Sequence, residues 1–179
     1  MNTARLITLR TFTDLDVVRG DLLDVYADVR APLLCMPNYA VTAFGERLDR
    51  HGTEEGFVAT LAYADDHPVG FAYGNTIKQG DRYWQRVSPT PPNRYTERPA
   101  VALKEGGVRL PWRKTGTARR IHDTLLATRN EPHVTLMVNP AAGDGKVHAL
   151  YESWGYEDIG QSLPSPASPV LVVMVRASR

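Results

Sequence analysis

The chain has 179 residues, of which 42% are hydrophobic and 23% are charged, values typical of a globular protein of one domain. The formal net charge of +1 argues against a nucleic-acid binder with a strongly basic face. The single cysteine, Cys35, excludes an intramolecular disulfide and a metal site built from cysteines.

Apolar segments are too short for a membrane helix. The longest uninterrupted run, residues 170–175, is far from the roughly 20 residues that a bilayer requires. The first residues contain an arginine and lack the apolar segment of a secretory signal. We therefore expect a cytoplasmic protein without a membrane partner, folded as a single domain over residues 1–179.

The first part of the chain predicts a strand, two helices and a hairpin. A strand at 7–10 is followed by a helix that begins with Thr13 as its cap and continues with apolar residues at helical spacing to near Pro32. A shorter helix is expected at 42–51. Alternating apolar residues within 57–73, interrupted by a turn, predict a β-hairpin.

Residues 75–99 are polar, aromatic and rich in proline, which predicts a long loop. A loop of this length inside a compact domain is usually functional or mobile. Tyr83 and Trp84 could stack on a substrate there, and an equally reasonable account is that they anchor the loop to the core.

The rest of the chain alternates strands and helices. Residues 101–108 predict a strand interrupted by Gly106 and Gly107, where a bulge or a close approach to the backbone is expected. The remaining predicted elements are a helix at about 116–130, a buried strand at 134–138, a short helix at 148–154, and strands at 156–159 and 170–175.

Positive charge is concentrated between Gly106 and His122. This stretch contains five basic residues and no acidic residue, so the remainder of the chain has a net charge of −4. Arginines in the first turn of a helix are unfavourable unless an anion is bound there, because a helix N-terminus is itself positive. A strand, a turn containing Gly116 and a helix form an arrangement that points backbone N–H groups at phosphate; a solvated basic surface is the alternative.

Two common phosphate motifs are absent. The glycines at 106, 107 and 116 do not have the spacing of the dinucleotide-binding pattern G-x-G-x-x-G, and Gly145-Lys146 is followed by valine, which a P-loop does not allow. Residues 113–118, Arg-Lys-Thr-Gly-Thr-Ala, have the pattern R-x-x-G-x-A. This pattern resembles the coenzyme A pyrophosphate loop, Q/R-x-x-G-x-G/A, of the GNAT superfamily of N-acetyltransferases.

The context of this loop extends the resemblance from Val101 to Gly160. Residues 103–111 are similar to the family's bulged fourth strand, and residues 149–156 are similar to its A-x-x-L-Y-x-x-x-G-F/Y ending. The resemblance implies an α/β GNAT fold: a mixed, mostly antiparallel twisted sheet, splayed at the cofactor site near Val108 and Val138 and flanked by helices.

The resemblance also implies the site residues. Tyr151 would protonate the coenzyme A thiolate, for which a phenol with a pKa near 10 is a reasonable donor, and Glu105 would accept a proton from the amine; a packed tyrosine ring and a surface carboxylate are the structural alternatives. The implied coenzyme A contacts are Val108, Leu110, Arg113, Lys114, Thr115, Gly116, Thr117, Ala118 and Arg119.

The sequence thus predicts acetyl-CoA-dependent transfer of an acetyl group to the primary amine of a small molecule or peptide, without a metal. The five histidines do not fall at metal-ligand spacing with one another or with carboxylates, and we expect a monomer or homodimer. One alternative is a non-catalytic acyl-CoA-binding or protein-interaction domain of the same fold. A nucleic-acid module that uses the basic stretch is a second alternative.

Overall fold

A computed structural model describes residues 6–179, and within this range it has eight strands and six α-helices. The strands are β1 (Ile7–Phe12), β2 (Val58–Ala64), β3 (His67–Ile77), β4 (Val87–Ser88), β5 (Ala100–Val108), β6 (His133–Val138), β7 (Glu157–Ser162) and β8 (Leu171–Ala177). The helices are α1 (Leu15–Val29), α2 (Val41–Gly52), α3 (Arg82–Gln85), α4 (Asn93–Thr96), α5 (Thr117–Ala127) and α6 (Lys146–Ser153). None of the helices in residues 6–179 combines the length and apolar character that crossing a bilayer demands.

The strands form one mixed sheet in the order β1-β2-β3-β5-β6-β8-β7-β4. Five neighbouring pairs are antiparallel, and β5 pairs with β6 in parallel, with Ala100 opposite His133 and Leu103 opposite Leu136. The predicted α/β fold with a mixed, mostly antiparallel sheet flanked by helices is confirmed.

Most predicted elements are confirmed, with local corrections. Asp14, not Thr13, caps α1, because its side chain accepts a hydrogen bond from the backbone N–H of Asp16 at 3.0 Å. α1 ends at Val29, and the Pro32 that was expected to stop it lies inside a short 3₁₀ helix. The predicted loop at 75–99 contains the end of β3 and the short elements α3, β4 and α4.

Contacts between residues divide the chain into two compact units. The first contains residues up to Asn75 and from Glu105 to Thr128, and the second contains Thr76–Lys104 and Arg129–Arg179. The single domain over residues 1–179 stays a prediction.

The first unit is built around β2, which is buried at every position. Alternate residues of β2 point to opposite faces. Leu61 packs in a cluster with α1 and α2, whereas Ala62 packs in a second cluster with Ile121 of α5. Tyr26 of α1 and Phe44 of α2 stack with their ring centroids 3.8 Å apart. Covering both faces of the strand explains its nearly continuous apolar sequence.

The second unit has its own core. Tyr83 and Trp84 of α3 pack there with Ile77, Val173 and the small side chains of β5. Tyr83 and Trp84 lie edge to face, with ring centroids 5.3 Å apart. The aromatic pair is therefore part of the core of this unit.

Close packing at Gly106 and Gly107 fixes the end of β5 in the first unit. A Cβ atom on Gly107 would lie 2.8 Å from Cγ1 of Val29, and one on Gly106 would lie 3.3 Å from the carbonyl oxygen of Phe71. The close approach predicted for this glycine pair is therefore made by α1 and β3 of the same chain. Even one added methyl group has no room at position 107.

We predict that Gly107→Ala lowers the free energy of unfolding by about 1–3 kcal/mol, because the new methyl group must displace Val29. Gly20→Ala is the matched control in the same unit. Gly20 is an exposed residue of α1, and a Cβ atom added there would have no other atom within 4 Å, so its substitution is expected to stabilise the helix by roughly 0.5–1 kcal/mol. Denaturant unfolding monitored by circular dichroism measures both, and equal effects would contradict the packing argument.

Candidate functional site

The segment between β5 and α5 makes a left-handed turn. After β5 ends at Val108, a 3₁₀ helix at Leu110–Trp112 leads into residues 113–116, which we name the 113–116 turn. Lys114 has a φ of 61° and Gly116 a φ of 83°. A left-handed backbone is sterically costly for lysine but not for glycine. Because both residues adopt it, the chain changes direction twice within four residues.

Hydrogen bonds within the segment hold this turn. Nε of Arg113 donates to the carbonyl oxygen of Val108 at 2.9 Å. The Thr115 hydroxyl donates to the carbonyl oxygen of Trp112 at 2.6 Å and lies 2.8 Å from the hydroxyl oxygen of Thr117. The carbonyl groups of Val108 and Trp112 thus receive hydrogen bonds from side chains of the turn. These bonds stabilise one conformation of the turn.

The N-terminus of α5 is uncapped. Gly116 occupies the N-cap position, no side chain caps the helix, and its first turn contains no acidic residue. The first N–H groups of a helix have no partners within the helix and carry the positive end of its dipole. Since α5 has 11 residues and begins with two arginines within its first four positions, this end of the helix is an arrangement that favours an anion.

The basic residues near this turn are not equivalent. Arg109 is bound to α1, because its guanidinium lies 2.5 Å from a carboxylate oxygen of Asp24 and 3.0 Å from one of Asp28. Its Nε also donates to the carbonyl oxygen of Pro68 at 2.9 Å. Arg109 is therefore part of the packing between α1 and the sheet, and the positive charge at the turn is smaller than the sequence indicates.

Arg119 lies in the first turn of α5 and pairs with Asp123. Its Nε donates to a carboxylate oxygen of Asp123 at 2.7 Å, and the other oxygen of Asp123 is 2.8 Å from Nδ1 of the buried His122. Burial of Asp123 opposes ionisation, but the hydrogen bonds with His122 and Arg119 outweigh it, so the pKa of Asp123 is below its usual value. Asp123 thus holds the side chain of Arg119 along the helix.

The other predicted cofactor residues of this segment have different exposures. Val108 is buried in the cluster with Ile121, and Thr117 is also buried. Leu110 is 72% exposed. Lys114, Thr115 and Gly116 are exposed and Ala118 is half-buried. The predicted set therefore combines two anchored residues with an exposed turn.

Glu105, the predicted proton acceptor, forms an ion pair. Its carboxylate accepts a hydrogen bond from the Arg30 guanidinium at 2.6 Å, and both side chains are largely buried. Burial lowers the pKa of Arg30, but the charge of Glu105 and its hydrogen bond outweigh this effect and raise the pKa above its usual value. The pair connects the residue after α1 with β5, a structural role that the sequence does not indicate.

Tyr151 lies in the second unit, on α6. Its ring is half-buried and meets the rings of Trp154 and Tyr156 edge to face, at centroid distances of 5.4 and 5.6 Å. The turn after α6 is closed by a hydrogen bond from the backbone N–H of Tyr156 to the carbonyl oxygen of Tyr151. The ring is thus held in one position by an aromatic cluster.

Tyr83 and Trp84, considered as substrate-stacking residues, are only 9% and 5% exposed. The Tyr83 hydroxyl is 3.1 Å from that of Thr135, which donates to the carbonyl oxygen of Met174 at 2.9 Å. Burial raises the pKa of Tyr83 above its usual value, although the hydrogen bond with Thr135 opposes the shift. This packing supports the anchoring role and leaves little ring surface for a substrate.

The expectation that no histidine lies at ligand spacing with carboxylates is wrong for His148. Glu152 is four residues further along α6, and Asp158 of β7 reaches the same imidazole. The spacing of four residues was visible in the sequence, whereas the position of Asp158 depends on the turn between α6 and β7.

Several solved structures have the same fold as this chain. The protein PH1933 from Pyrococcus horikoshii OT3 has a TM-score of 0.70 at 19% identity, and the match covers 96% of this chain and 98% of that chain. An aminoglycoside N-acetyltransferase in complex with CoA has a TM-score of 0.64 at 11% identity, covering 92% and 97%. A protein from Desulfovibrio desulfuricans assigned to the GNAT family of acetyltransferases has a TM-score of 0.63 at 15% identity, covering 97% and 100%.

No protein-family model and no curated protein sequence matches the chain. At this low sequence identity, the similarity to the solved structures shows a shared fold. The chain has the GNAT acetyltransferase fold, as its sequence pattern predicts.

Proposed function

We propose that the chain is an acetyl-CoA-dependent N-acetyltransferase that moves an acetyl group directly to the primary amine of a small molecule or peptide. The observation that carries the proposal is the uncapped N-terminus of α5, which follows the left-handed 113–116 turn and lacks acidic residues. The fold supports it, since an aminoglycoside N-acetyltransferase with CoA bound has the same architecture.

The 113–116 turn and the start of α5 would bind the diphosphate. The N–H groups of Thr117, Ala118 and Arg119 belong to the first turn of the helix, where an anion is favourable. A Cβ atom on Gly116 would meet no atom of the chain within 4 Å. A phosphate can approach closely only where this side of the backbone is open. The positive φ of Gly116 favours glycine there even in the unbound chain.

Charged side chains would add to the backbone groups. The bond from Arg113 to Val108 uses one of the five N–H donors of a guanidinium. Lys114 is exposed at the tip of the turn, and Arg119 extends from the first turn of α5. We assign Arg113, Lys114 and Arg119 to phosphate binding, Val108 and Leu110 to the adjoining part of the cofactor, and Thr115 to holding the turn.

The reaction requires two proton transfers. When bound, acetyl-CoA supplies a thioester carbonyl; the amine nitrogen forms a bond to that carbon, and the bond between carbon and sulfur breaks. The amine must lose a proton, which we assign to Glu105, and the thiolate must gain one, which we assign to Tyr151. Within the first unit the ion pair with Arg30 restrains Glu105, and within the second unit the aromatic cluster restrains Tyr151.

The first test compares two left-handed glycines. Gly116→Ala and Gly80→Ala each place a methyl group on a backbone with φ near +80° and no atom within 4 Å, so each should cost about 1–2 kcal/mol of stability. Only Gly116→Ala is expected to weaken coenzyme A binding, by at least about tenfold, because only there does the diphosphate meet the methyl group. Calorimetric titration measures the affinity, and an unchanged value for Gly116→Ala would remove the turn from the cofactor site.

The second test separates an enzyme from an acyl-CoA-binding domain. Tyr151→Phe removes one hydroxyl and keeps the ring, so turnover should fall about 100-fold or more while acetyl-CoA affinity changes little. Tyr156→Phe makes the same change in the same aromatic cluster and should leave turnover near that of the wild type. Thiol release over a panel of amines gives the rates. Full activity of Tyr151→Phe would show that another group protonates the thiolate.

The third test separates the two roles of Glu105. Glu105→Gln and Arg30→Gln each break the same ion pair, so both should lower the melting temperature. If Glu105 accepts the amine proton, Glu105→Gln reduces turnover about 100-fold more than Arg30→Gln does. Equal losses of turnover in the two variants would mean that the carboxylate serves only the ion pair.

A further inference from the structure

Three side chains of the second unit converge on one point of the surface. Nε2 of His148 is 2.8 Å from a carboxylate oxygen of Asp158, and Nδ1 of the same ring is 3.7 Å from a carboxylate oxygen of Glu152. One ligand atom from each residue can be chosen so that all three lie within 4.8 Å of one another. The cluster lies outside the residues assigned to the reaction.

Local structure brings these groups together. His148 and Glu152 are four residues apart on α6, so they lie on the same face of the helix. Gly155, with a φ of 88°, ends the helix and turns the chain into β7, which carries Asp158. Because two ligands come from one helix turn and the third from the following strand, the cluster depends only on this short segment.

We propose that His148, Glu152 and Asp158 form a binding site for a divalent transition-metal ion of the zinc type. An imidazole with two carboxylates is a donor set suited to zinc and its neighbours, whereas magnesium and calcium prefer oxygen ligands alone. Three protein ligands leave a coordination position for water. The site extends beyond acetyl transfer and does not depend on it.

The two carboxylates face different nitrogens of the His148 ring, and one ligand atom from each residue lies within 4.8 Å of the others, so the side chains must move closer together to hold one ion. Ligand atoms on neighbouring corners of a zinc tetrahedron lie roughly 3.4 Å apart, since each bond is about 2.0–2.2 Å long. The 2.8 Å between Nε2 and the Asp158 oxygen must open by a few tenths of an ångström for an ion to bind both atoms. Glu152, whose side chain is 56% exposed, has the freedom to rotate its carboxylate toward the same ion.

Partial burial supports a defined site. The His148 side chain is 21% exposed, so its ring has a restricted orientation, while the carboxylates are about half exposed and open to solvent. The main competing account is an ordinary ion pair between a protonated imidazole and two carboxylates. The two accounts differ in one property: only a metal site binds zinc saturably, at one ion per chain, and is stabilised by it.

The ion would connect α6 with β7. Tyr151 lies between the two helical ligands in sequence, so the same helix carries the proposed acid of the acetyl-transfer reaction. The metal would therefore restrain the segment that positions Tyr151. Binding and turnover are separate measurements, and the failure of one does not decide the other.

The test is a titration of the full chain with zinc chloride against a chromophoric chelator. All variants carry Cys35→Ser, because the exposed thiol is itself a zinc ligand. In this background we expect one zinc ion per chain and a melting temperature that rises with zinc concentration. Magnesium chloride in excess should not compete.

His148→Gln and Asp158→Asn should each lower the zinc affinity by at least about tenfold, since losing even an outer-shell partner costs roughly 10- to 100-fold. His133→Gln is the control: His133 lies in the same unit, on β6, with its ring against Tyr95. Far-UV circular dichroism establishes that each variant is folded. Absence of saturable zinc binding, or equal affinity in the His148→Gln variant and the His133→Gln control, overturns the proposal.

Discussion

Close packing of β5 against α1 and β3 is the constraint on which the candidate cofactor site depends. At Gly107 the backbone approaches Val29 so closely that no side chain fits, and at Gly106 it approaches the carbonyl of Phe71. β5 ends one residue further on, at Val108. Arg109, the second residue beyond the glycine pair, is then held by Asp24, Asp28 and the backbone of β3. The 113–116 turn starts from this fixed point.

The electrostatics of the turn come from the backbone as much as from side chains. Arg109 is compensated by acids of α1, and Arg119 shares Asp123 with His122. The first turn of α5 contains no acidic side chain that could accept hydrogen bonds from its uncapped N–H groups. Since a phosphate group near a helix N-terminus gains from both the dipole and the N–H donors, the backbone is the more dependable part of the proposed site.

α6 combines two kinds of chemistry in eight residues. Its aromatic side, with Tyr151 against Trp154 and Tyr156, holds a phenol in a fixed place. His148 and Glu152 extend from the same helix toward Asp158. A helix this short is marginal by itself, so packing of its ring and the hydrogen bond between His148 and Asp158 both contribute to keeping it folded.

The sequence by itself determined most helices and strands and the glycine turn that leads into α5. Hydrophobic periodicity and the need for glycine at a positive φ both act over only a few residues. It also contained the order of strands and helices from which the GNAT fold was predicted. Only the tertiary structure decided that Glu105 pairs with Arg30, that Tyr83 and Trp84 are buried, and that Asp158 meets His148. Pairing and burial depend on residues that are distant in the chain or separated by a turn, and no local pattern contains their distances. That is why the glycine turn before α5 could be predicted at the level of single residues, while the partners of the charged and aromatic side chains could not.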